Sequence, residues 1–146
     1  MWRVPEADGR FSHFPHLGDR ARPGFIAVRR DGRRFVSGAD CYHDFMNALF
    51  AATPVGEPAQ AWLICDHRAQ RRYGIGWAKP FPLSTGFYRT RGHLHCAGTL
   101  AELGRQAGIA GAHLQQTVAA VNPPAAAGAD PACGRGGPSH PPCTMQ

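Results

Sequence analysis

The stretch Gly24-Phe25-Ile26-Ala27-Val28 is apolar, and it is followed by Arg29-Arg30-Asp31-Gly32-Arg33-Arg34 and then by Phe35-Val36. An Asp-Gly pair between two apolar runs is a strong short-range signal for a β-hairpin, because glycine adopts the positive φ that the tight turn requires. We therefore predict a strand before the pair, a turn at Asp31-Gly32 and a second strand after it.

An amphipathic helix is predicted directly after this hairpin. Apolar residues recur there at three- and four-residue spacing, at Tyr42, Phe45, Met46, Leu49 and Phe50. Asp40 is suited to be the N-cap, since its carboxylate can accept hydrogen bonds from first-turn N–H groups. Thr53-Pro54 is expected to end the helix.

The next elements are a buried strand over Ala61–Cys65 and a short helix that Asp66 caps and that runs through Tyr73. Residues 1–23 and 74–92 are rich in proline and glycine and are predicted to be irregular. A capping box at residues 99–102 starts another helix, which Gly108 ends. A last helix is predicted from about Ala112 to Val121, ending at Asn122.

The composition changes at Pro123. Ten of the last 24 residues are Pro or Gly, and none is Val, Ile, Leu, Phe, Tyr or Trp. Such a segment cannot bury enough apolar surface to offset its ordering entropy, so residues 123–146 are predicted to be a disordered tail. The short strands and helices before it predict one α+β domain over residues 1–122.

Length and composition limit the class of protein. A chain of 146 residues suits one domain, and no run approaches the ~18 apolar residues that a membrane span needs. With no apolar leader at the N-terminus, we expect a cytoplasmic protein. The net charge of +6 comes mainly from arginine and lacks the aromatic interleaving of a single-strand binder, so we expect no nucleic-acid partner.

The hairpin-to-helix junction, residues 37–44, is the first candidate site. Tyr42 could accept a proton there if neighbouring positive charge lowered the pKa of its phenol from the usual value of about 10. The N-terminus of the helix supplies partial positive charge close by. The alternative is that Tyr42 is a half-buried residue of the amphipathic helix with its hydroxyl at the surface.

Two other patterns are weaker. Cys65-Asp66-His67 and His93-Leu94-His95-Cys96 contain zinc-ligand side chains, but their spacing matches no known finger or ribbon, so no metal site is predicted. The glycine-rich segments at 74–76 and 134–137 do not lie between a strand and a helix, and the chain has no Gly-x-Gly-x-x-Gly motif for phosphate binding.

Several stretches together resemble a known family. Gly-Arg-Arg-Phe-Val at 32–36 followed by Tyr-His-Asp-Phe at 42–45 is the most specific part, and the likeness extends over most of residues 14–122. The family is that of the FAD-dependent oxidoreductases that include 3-ketosteroid dehydrogenases and the fumarate reductase flavoprotein. Tyrosine at position 42 favours the ketosteroid branch, since fumarate reductases have an arginine there.

The resemblance implies that the chain is an α+β capping domain, which closes over the flavin, and that it lacks the dinucleotide-binding domain. FAD would be the cofactor and a ketone or steroid-like small molecule the substrate. Tyr42 would abstract a proton beside the ketone. Ser37 and Gly38 would lie at the cofactor, where family members usually carry Asn-Glu. The isolated chain would then be inactive; the alternative is a non-catalytic binding module that pairs with a separate flavin domain.

Overall fold

The computed structural model describes residues 2–5, 10–14 and 16–126. Its strands are β1 (Trp2–Pro5), β2 (Phe11–Phe14), β3 (Phe25–Val28) and β4 (Trp62–Cys65). Its helices are α1 (Tyr42–Ala51), α2 (His67–Tyr73), α3 (Gly86–Thr90), α4 (Leu100–Ala107) and α5 (Gly111–Ala126), with a 3-10 turn at Asp19–Ala21. No described helix is long and apolar enough to cross a membrane.

The strands form two antiparallel pairs, β1 with β2 and β3 with β4. The prediction that residues 1–23 are irregular is therefore wrong for β1 and β2, in which Trp2 lies opposite Phe14. Pro5, which argued against a strand, is compatible with one here because both strands of a two-stranded sheet are edges, where proline is tolerated.

The turn at Asp31-Gly32 is confirmed, but the hairpin is not. Gly32 has a φ of +79° and its N–H donates to the carbonyl of Arg29 at 2.9 Å. Beyond the turn, only a single bridge joins Val28 to Arg34, and the strand partner of β3 is β4. β4 offers four consecutive residues for pairing, whereas the chain after Arg34 soon bends into the polar segment before α1.

β3 is the centre of the core. All four of its residues are buried, and its alternating side chains contact two different clusters. Ile26 and Val28 belong to a cluster with Ile64 of β4 and residues of α5, and Trp62 and residues of α4 pack against it. Phe25 belongs to a second cluster with Ala69, Ile75 and Ala78.

The turn after β3 docks on the start of α5. The N–H of Ala110 donates to the carbonyl of Arg30 at 3.0 Å, and the hydroxyl of Thr117 donates to the carbonyl of Gly32 at 2.7 Å. A Cβ at position 32 would lie 2.7 Å from both the carbonyl oxygen of Ala110 and the nitrogen of Leu114. Glycine is thus required at this position by both conformation and space.

Two of the three predicted helix caps are confirmed. Asp66 accepts from the N–H of Ala69 at 2.6 Å, and Thr99 accepts from the N–H of Glu102 at 3.2 Å. The N-cap of α1 is Cys41 and not Asp40, since the Cys41 sulfur accepts from the N–H of Asp44 at 3.5 Å. Asp40 lies one residue too early to serve the first turn.

Two helix assignments differ from the prediction. α3 lies within residues 74–92, which were predicted to be a loop, and α5 continues to Ala126, past the end predicted at Asn122. Five residues make α3 too short for apolar periodicity to be recognised. The predicted disorder of the tail falls, from residue 127 onward, outside the described residues.

Candidate functional site

The junction between the β3 turn and α1 is a tight, buried bend. Ser37 is 3% exposed, and its hydroxyl accepts from the N–H of Ala39 at 3.3 Å. The Ser37 carbonyl accepts from the N–H of Asp40 at 3.3 Å. Gly38 is buried as well. These bonds fix the direction from which the chain enters α1.

A buried arginine lies against this bend. Arg20, from the 3-10 turn, is 4% exposed and donates from Nη1 to the Gly38 carbonyl at 3.1 Å. Its guanidinium carbon lies 4.7 Å from the centroid of the Phe45 ring, on the first turns of α1. Phe45 in turn makes an edge contact with Phe35, with the ring centroids 5.2 Å apart.

Sequence reasoning did not find Arg20. It is one of 15 arginines, and nothing in its immediate sequence distinguishes it from the exposed ones. Its neighbours in space, Gly38 and Phe45, are 18 and 25 residues away along the chain, which leaves no local spacing to recognise.

The electrostatics of Arg20 reflect its position. Burial lowers the pKa of Arg20, and the nearby carboxylates of Asp40 and Asp19 act in the opposite direction. Arg20 also interacts electrostatically with Cys41 and Tyr42. An arginine side chain stays protonated in proteins, so this is a fixed positive charge beside the start of α1.

Asp19 holds the turn that carries Arg20. Its carboxylate contacts His16 at 2.5 Å and accepts from the N–H groups of Gly76 at 3.1 Å and Arg20 at 3.0 Å. Burial would raise the pKa of Asp19, but the bond and charge of His16 and the two backbone N–H groups outweigh it and hold the pKa below its usual value.

Tyr42 is the first residue of α1 and is half-buried. Arg20 interacts electrostatically with Tyr42, and the N-terminus of α1 adds partial positive charge nearby. The neighbouring Cys41 is exposed, and its thiol donates to the carboxylate of Asp44 at 3.1 Å.

Ser37 and Gly38 form part of the same junction. In this conformation the polar groups described above make their hydrogen bonds within the chain, to Ala39, Asp40 and Arg20. Their assignment to cofactor binding stays a prediction.

The zinc pattern is not assembled. Asp66 is occupied as the α2 N-cap, and burial, with some contribution from Asp66, Cys96 and Asp19, raises the pKa of Cys65 to about 12. Within the described ranges, no three ligating side chains converge.

A shallow cleft of about 410 Å³ lies next to α3. Sequence reasoning did not assemble it, because α3 itself was not predicted. His95 and Cys96 were predicted only as weak candidates for zinc ligands. The lining residues are Gly86, Arg89, Thr90, Leu94, His95, Cys96 and Gln106.

A family model described as FAD binding domain matches residues 6–144, which is nearly the whole chain. The chain therefore belongs to the FAD binding domain family of FAD-dependent oxidoreductases, and FAD is the cofactor of this family.

Three similar proteins are dehydrogenases. The chain is 44% identical over 129 residues to 4-oxocyclohex-2-ene-1-carboxylate 5-dehydrogenase of Sinomonas cyclohexanicum, a match covering 88% of the chain and 22% of that protein. It is 31% identical over 119 residues to 3-oxosteroid 1-dehydrogenase of Mycobacterium tuberculosis, covering 78% of the chain and 21% of that protein.

The third is a solved structure, 3-ketosteroid Δ1-dehydrogenase from Sterolibacterium denitrificans in complex with 1,4-androstadiene-3,17-dione. The TM-score is 0.78 at 26% sequence identity, and the match covers 99% of the chain and 29% of that structure's chain. The chain thus spans between about a fifth and a third of the length of these relatives.

The prediction of a capping domain without a dinucleotide-binding domain is wrong. The matching family model is the FAD binding domain itself, and it covers residues 6–144. The prediction came from the family resemblance, and the missing Gly-x-Gly-x-x-Gly motif agreed with it; that motif marks only one phosphate-binding turn. A stretch of an FAD-binding domain that lies away from that turn need not contain it.

Within the described residues, the glycine-rich Gly74–Gly76 segment does not present its N–H groups to a phosphate. The Gly74–Gly76 segment bends back on itself through a bridge between Ile75 and Ala78, and the N–H of Gly76 donates to Asp19. That donor is therefore occupied within the chain and does not face a phosphate. The described part of the chain instead supplies the N-terminus of α1 with a buried arginine and a half-buried tyrosine next to it.

Proposed function

We propose that this chain forms part of an FAD-dependent dehydrogenase that introduces a double bond beside a ring ketone, with Tyr42 as the proton acceptor. The observation that carries the proposal is the position of Tyr42, on the first turn of α1 and within electrostatic reach of the buried Arg20. The substrate class is a cyclic ketone, including steroid-like ketones.

The names of the relatives support this class. The Sinomonas and Mycobacterium proteins are both named as dehydrogenases of a ring that carries an oxo group, and the Sterolibacterium structure holds a steroid dione. The identity of 44% to the Sinomonas protein makes a small cyclohexenone carboxylate as good a candidate as a steroid.

The reaction removes two hydrogens from adjacent carbons, one as a proton and one as a hydride, and leaves a C=C bond. FAD supplies the acceptor for the hydride when it is bound. The carbon beside the ketone loses the proton, because the carbonyl stabilises the charge left there. Tyr42 would take that proton on its phenol oxygen, and the positive charge of Arg20 would stabilise the oxygen while it is negative.

We further propose that the Ser37-Gly38 bend faces the edge of the cofactor. It lies three residues before α1, so a flavin placed against Tyr42 would lie close to it. In the chimera described below, Ser37→Ala should then weaken FAD retention, which flavin fluorescence after dialysis measures. Ser84→Ala, at an exposed serine, should leave FAD retention unchanged. Equal retention in the two variants would contradict this placement.

The isolated chain is proposed to be inactive, because it spans only 22% of the Sinomonas dehydrogenase. A chimera provides the remainder of the enzyme: the 129 matched residues of the Sinomonas dehydrogenase are replaced by those of this chain. Turnover of the chimera is followed with a dye as electron acceptor. Turnover by the isolated chain with added FAD would contradict the proposed inactivity.

In the chimera, Tyr42→Phe should lower turnover by about 100-fold or more, the usual contribution of general acid–base catalysis, while flavin absorbance is retained. Tyr88→Phe, at a tyrosine on α3, is the matched control and should change turnover little. If Tyr42→Phe with bound flavin turns over at the parent rate, the proposed role of Tyr42 is refuted.

A binding module that pairs with a separate flavin domain is the second candidate. Residues 77–87 favour it by exposing Trp77, Phe81, Leu83 and Phe87, which are 37%, 61%, 62% and 46% exposed. Exposed apolar residues are typical of protein contact surfaces. The binding-module hypothesis predicts that the chain co-purifies with a flavoprotein that lacks this region, and that the double variant Phe81→Ser/Leu83→Ser does not. Absence of co-purification with the unmodified chain would exclude the hypothesis.

A further inference from the structure

The guanidinium of Arg20 connects two points on either side of Tyr42. It donates to the carbonyl of Gly38, four residues before Tyr42, and lies over the ring of Phe45, three residues after it. The bend and the first turn of α1 are therefore held by the same charged group.

Packing alone does not require this charge. Burying a cation carries a desolvation penalty, and an apolar side chain of similar volume would fill the space without it. At Arg20 the penalty is offset by the Gly38 bond, by the Phe45 ring and by the charges of Asp40 and Asp19. These contacts lie on the 3-10 turn or on the segment that carries Tyr42.

We propose that Arg20 is the positioning residue for Tyr42: through its bond to Gly38 and its contact with Phe45, it fixes the segment from Gly38 to Phe45 and holds a positive charge at the start of α1. This inference rests on the proposed role of Tyr42 in proton transfer. It assigns to Arg20 no contact with substrate or cofactor.

Amide hydrogen exchange on this chain tests the positioning directly. Two matched probes exist, because the N–H of Phe45 donates to the Cys41 carbonyl and the N–H of Leu103 donates to the Thr99 carbonyl, both at 3.0 Å. Each is a bond of the first turn of its helix, in α1 and α4 respectively. Only the α1 probe lies near Arg20.

Arg20→Gln keeps most of the length of the side chain and removes its charge. We expect exchange at Phe45 to become about 10- to 100-fold faster, the effect of losing a charged hydrogen bond, with a change of less than about threefold at Leu103. Arg20→Lys, which keeps the charge and a donor, should restore part of the protection. Arg105→Gln, at a 77% exposed arginine of α4, is the control and should leave Phe45 unchanged.

A merely structural role predicts a different pattern. If Phe45 and Leu103 accelerate by the same factor, or if neither changes, the inference is overturned. Should Arg20→Gln fail to fold, Phe45→Leu removes the ring beneath the guanidinium and leaves the Gly38 bond in place. It should loosen the start of α1 in the same selective way, and unchanged protection of the neighbouring α1 amides would equally overturn the inference.

The chimera separates this inference from the proposed function. Arg20→Gln should lower kcat by about tenfold or more with KM little changed and flavin retained, and Arg20→Lys should recover part of it. If Tyr42→Phe leaves turnover unchanged, the proposed function fails, whatever the exchange rates show. If Tyr42 is required but Arg20→Gln alters neither exchange nor kcat, only the positioning role fails.

Discussion

Replacing Gly32 by alanine should be among the most destabilising single-methyl changes in the described fold. The added Cβ meets two obstacles. The φ of +79° places alanine in the left-handed region, which costs roughly 1–2 kcal/mol. The methyl would also lie 2.7 Å from the Ala110 oxygen and 2.7 Å from the Leu114 nitrogen, and these are backbone atoms that cannot rotate away.

The second obstacle forces the turn and the start of α5 apart. Overpacking of this kind costs about 1–3 kcal/mol, so the total loss is about 2–5 kcal/mol. The displacement would also lengthen the Thr117 bond to the Gly32 carbonyl. Against a typical total stability of about 5–15 kcal/mol, such a loss would unfold a sizeable share of the chain at moderate urea concentrations.

Gly56→Ala is the matched control, because Gly56 has a φ of +89° and a methyl group added there would meet no atom within 4 Å. Urea unfolding followed by far-UV circular dichroism gives both free energies of unfolding. Gly56→Ala should show the conformational cost alone, and Gly32→Ala should exceed it by at least about 1 kcal/mol. Equal losses within about 0.5 kcal/mol would refute the steric argument.

Two further predictions concern titratable groups. Burial raises the pKa of Cys65 to about 12, so a thiol reagent at pH 8 should modify the exposed Cys41 and Cys96 at least about tenfold faster than Cys65. Peptide mapping by mass spectrometry measures the three rates. Equal rates would contradict the burial of Cys65. The pKa of Asp19 is lower in the folded chain than its ordinary value of 3.8, so its contribution to stability is present above that pH and lost as the pH falls through the folded pKa. Asp19→Asn should therefore lower the free energy of unfolding, measured in urea, by about 1.5–3 kcal/mol at pH 7 and by progressively less below pH 3.8. A decrease that does not depend on pH would show that the charge of Asp19 is not responsible.

Local signals of the sequence predicted local structure well. The Asp31-Gly32 turn, the Asp66 and Thr99 caps and the left-handed Gly108 all depend on residues within a few positions of one another. The pairing of β3 with β4 depends on residues at least 34 positions apart, and no local pattern specifies it. The hairpin prediction was wrong for that reason.

The residues of the candidate site also differ in how far the sequence alone could predict them. Tyr42 was predicted as a site residue from the motif around it, and its role stays a prediction. Arg20 was not singled out, because its burial depends on residues that lie far from it in the sequence. The N-cap of α1 shows that the sequence predicts the position of a helix start only to within about one residue. Asp40 is the better cap by residue type, yet Cys41 occupies the position, since one residue of register decides which side chain reaches the first turn.

The contact between the β3 turn and α5 also determines when the chain can complete its core during synthesis. Thr117 is 85 residues beyond Gly32, and at roughly 5–20 residues per second a ribosome needs about 4 to 17 seconds to make that stretch. Throughout that interval the apolar residues of β3 lack their α5 partners. A variant that slows the docking of α5 would thus lengthen exposure to chaperones and proteases, and its main effect in a cell would be a lower yield of folded protein.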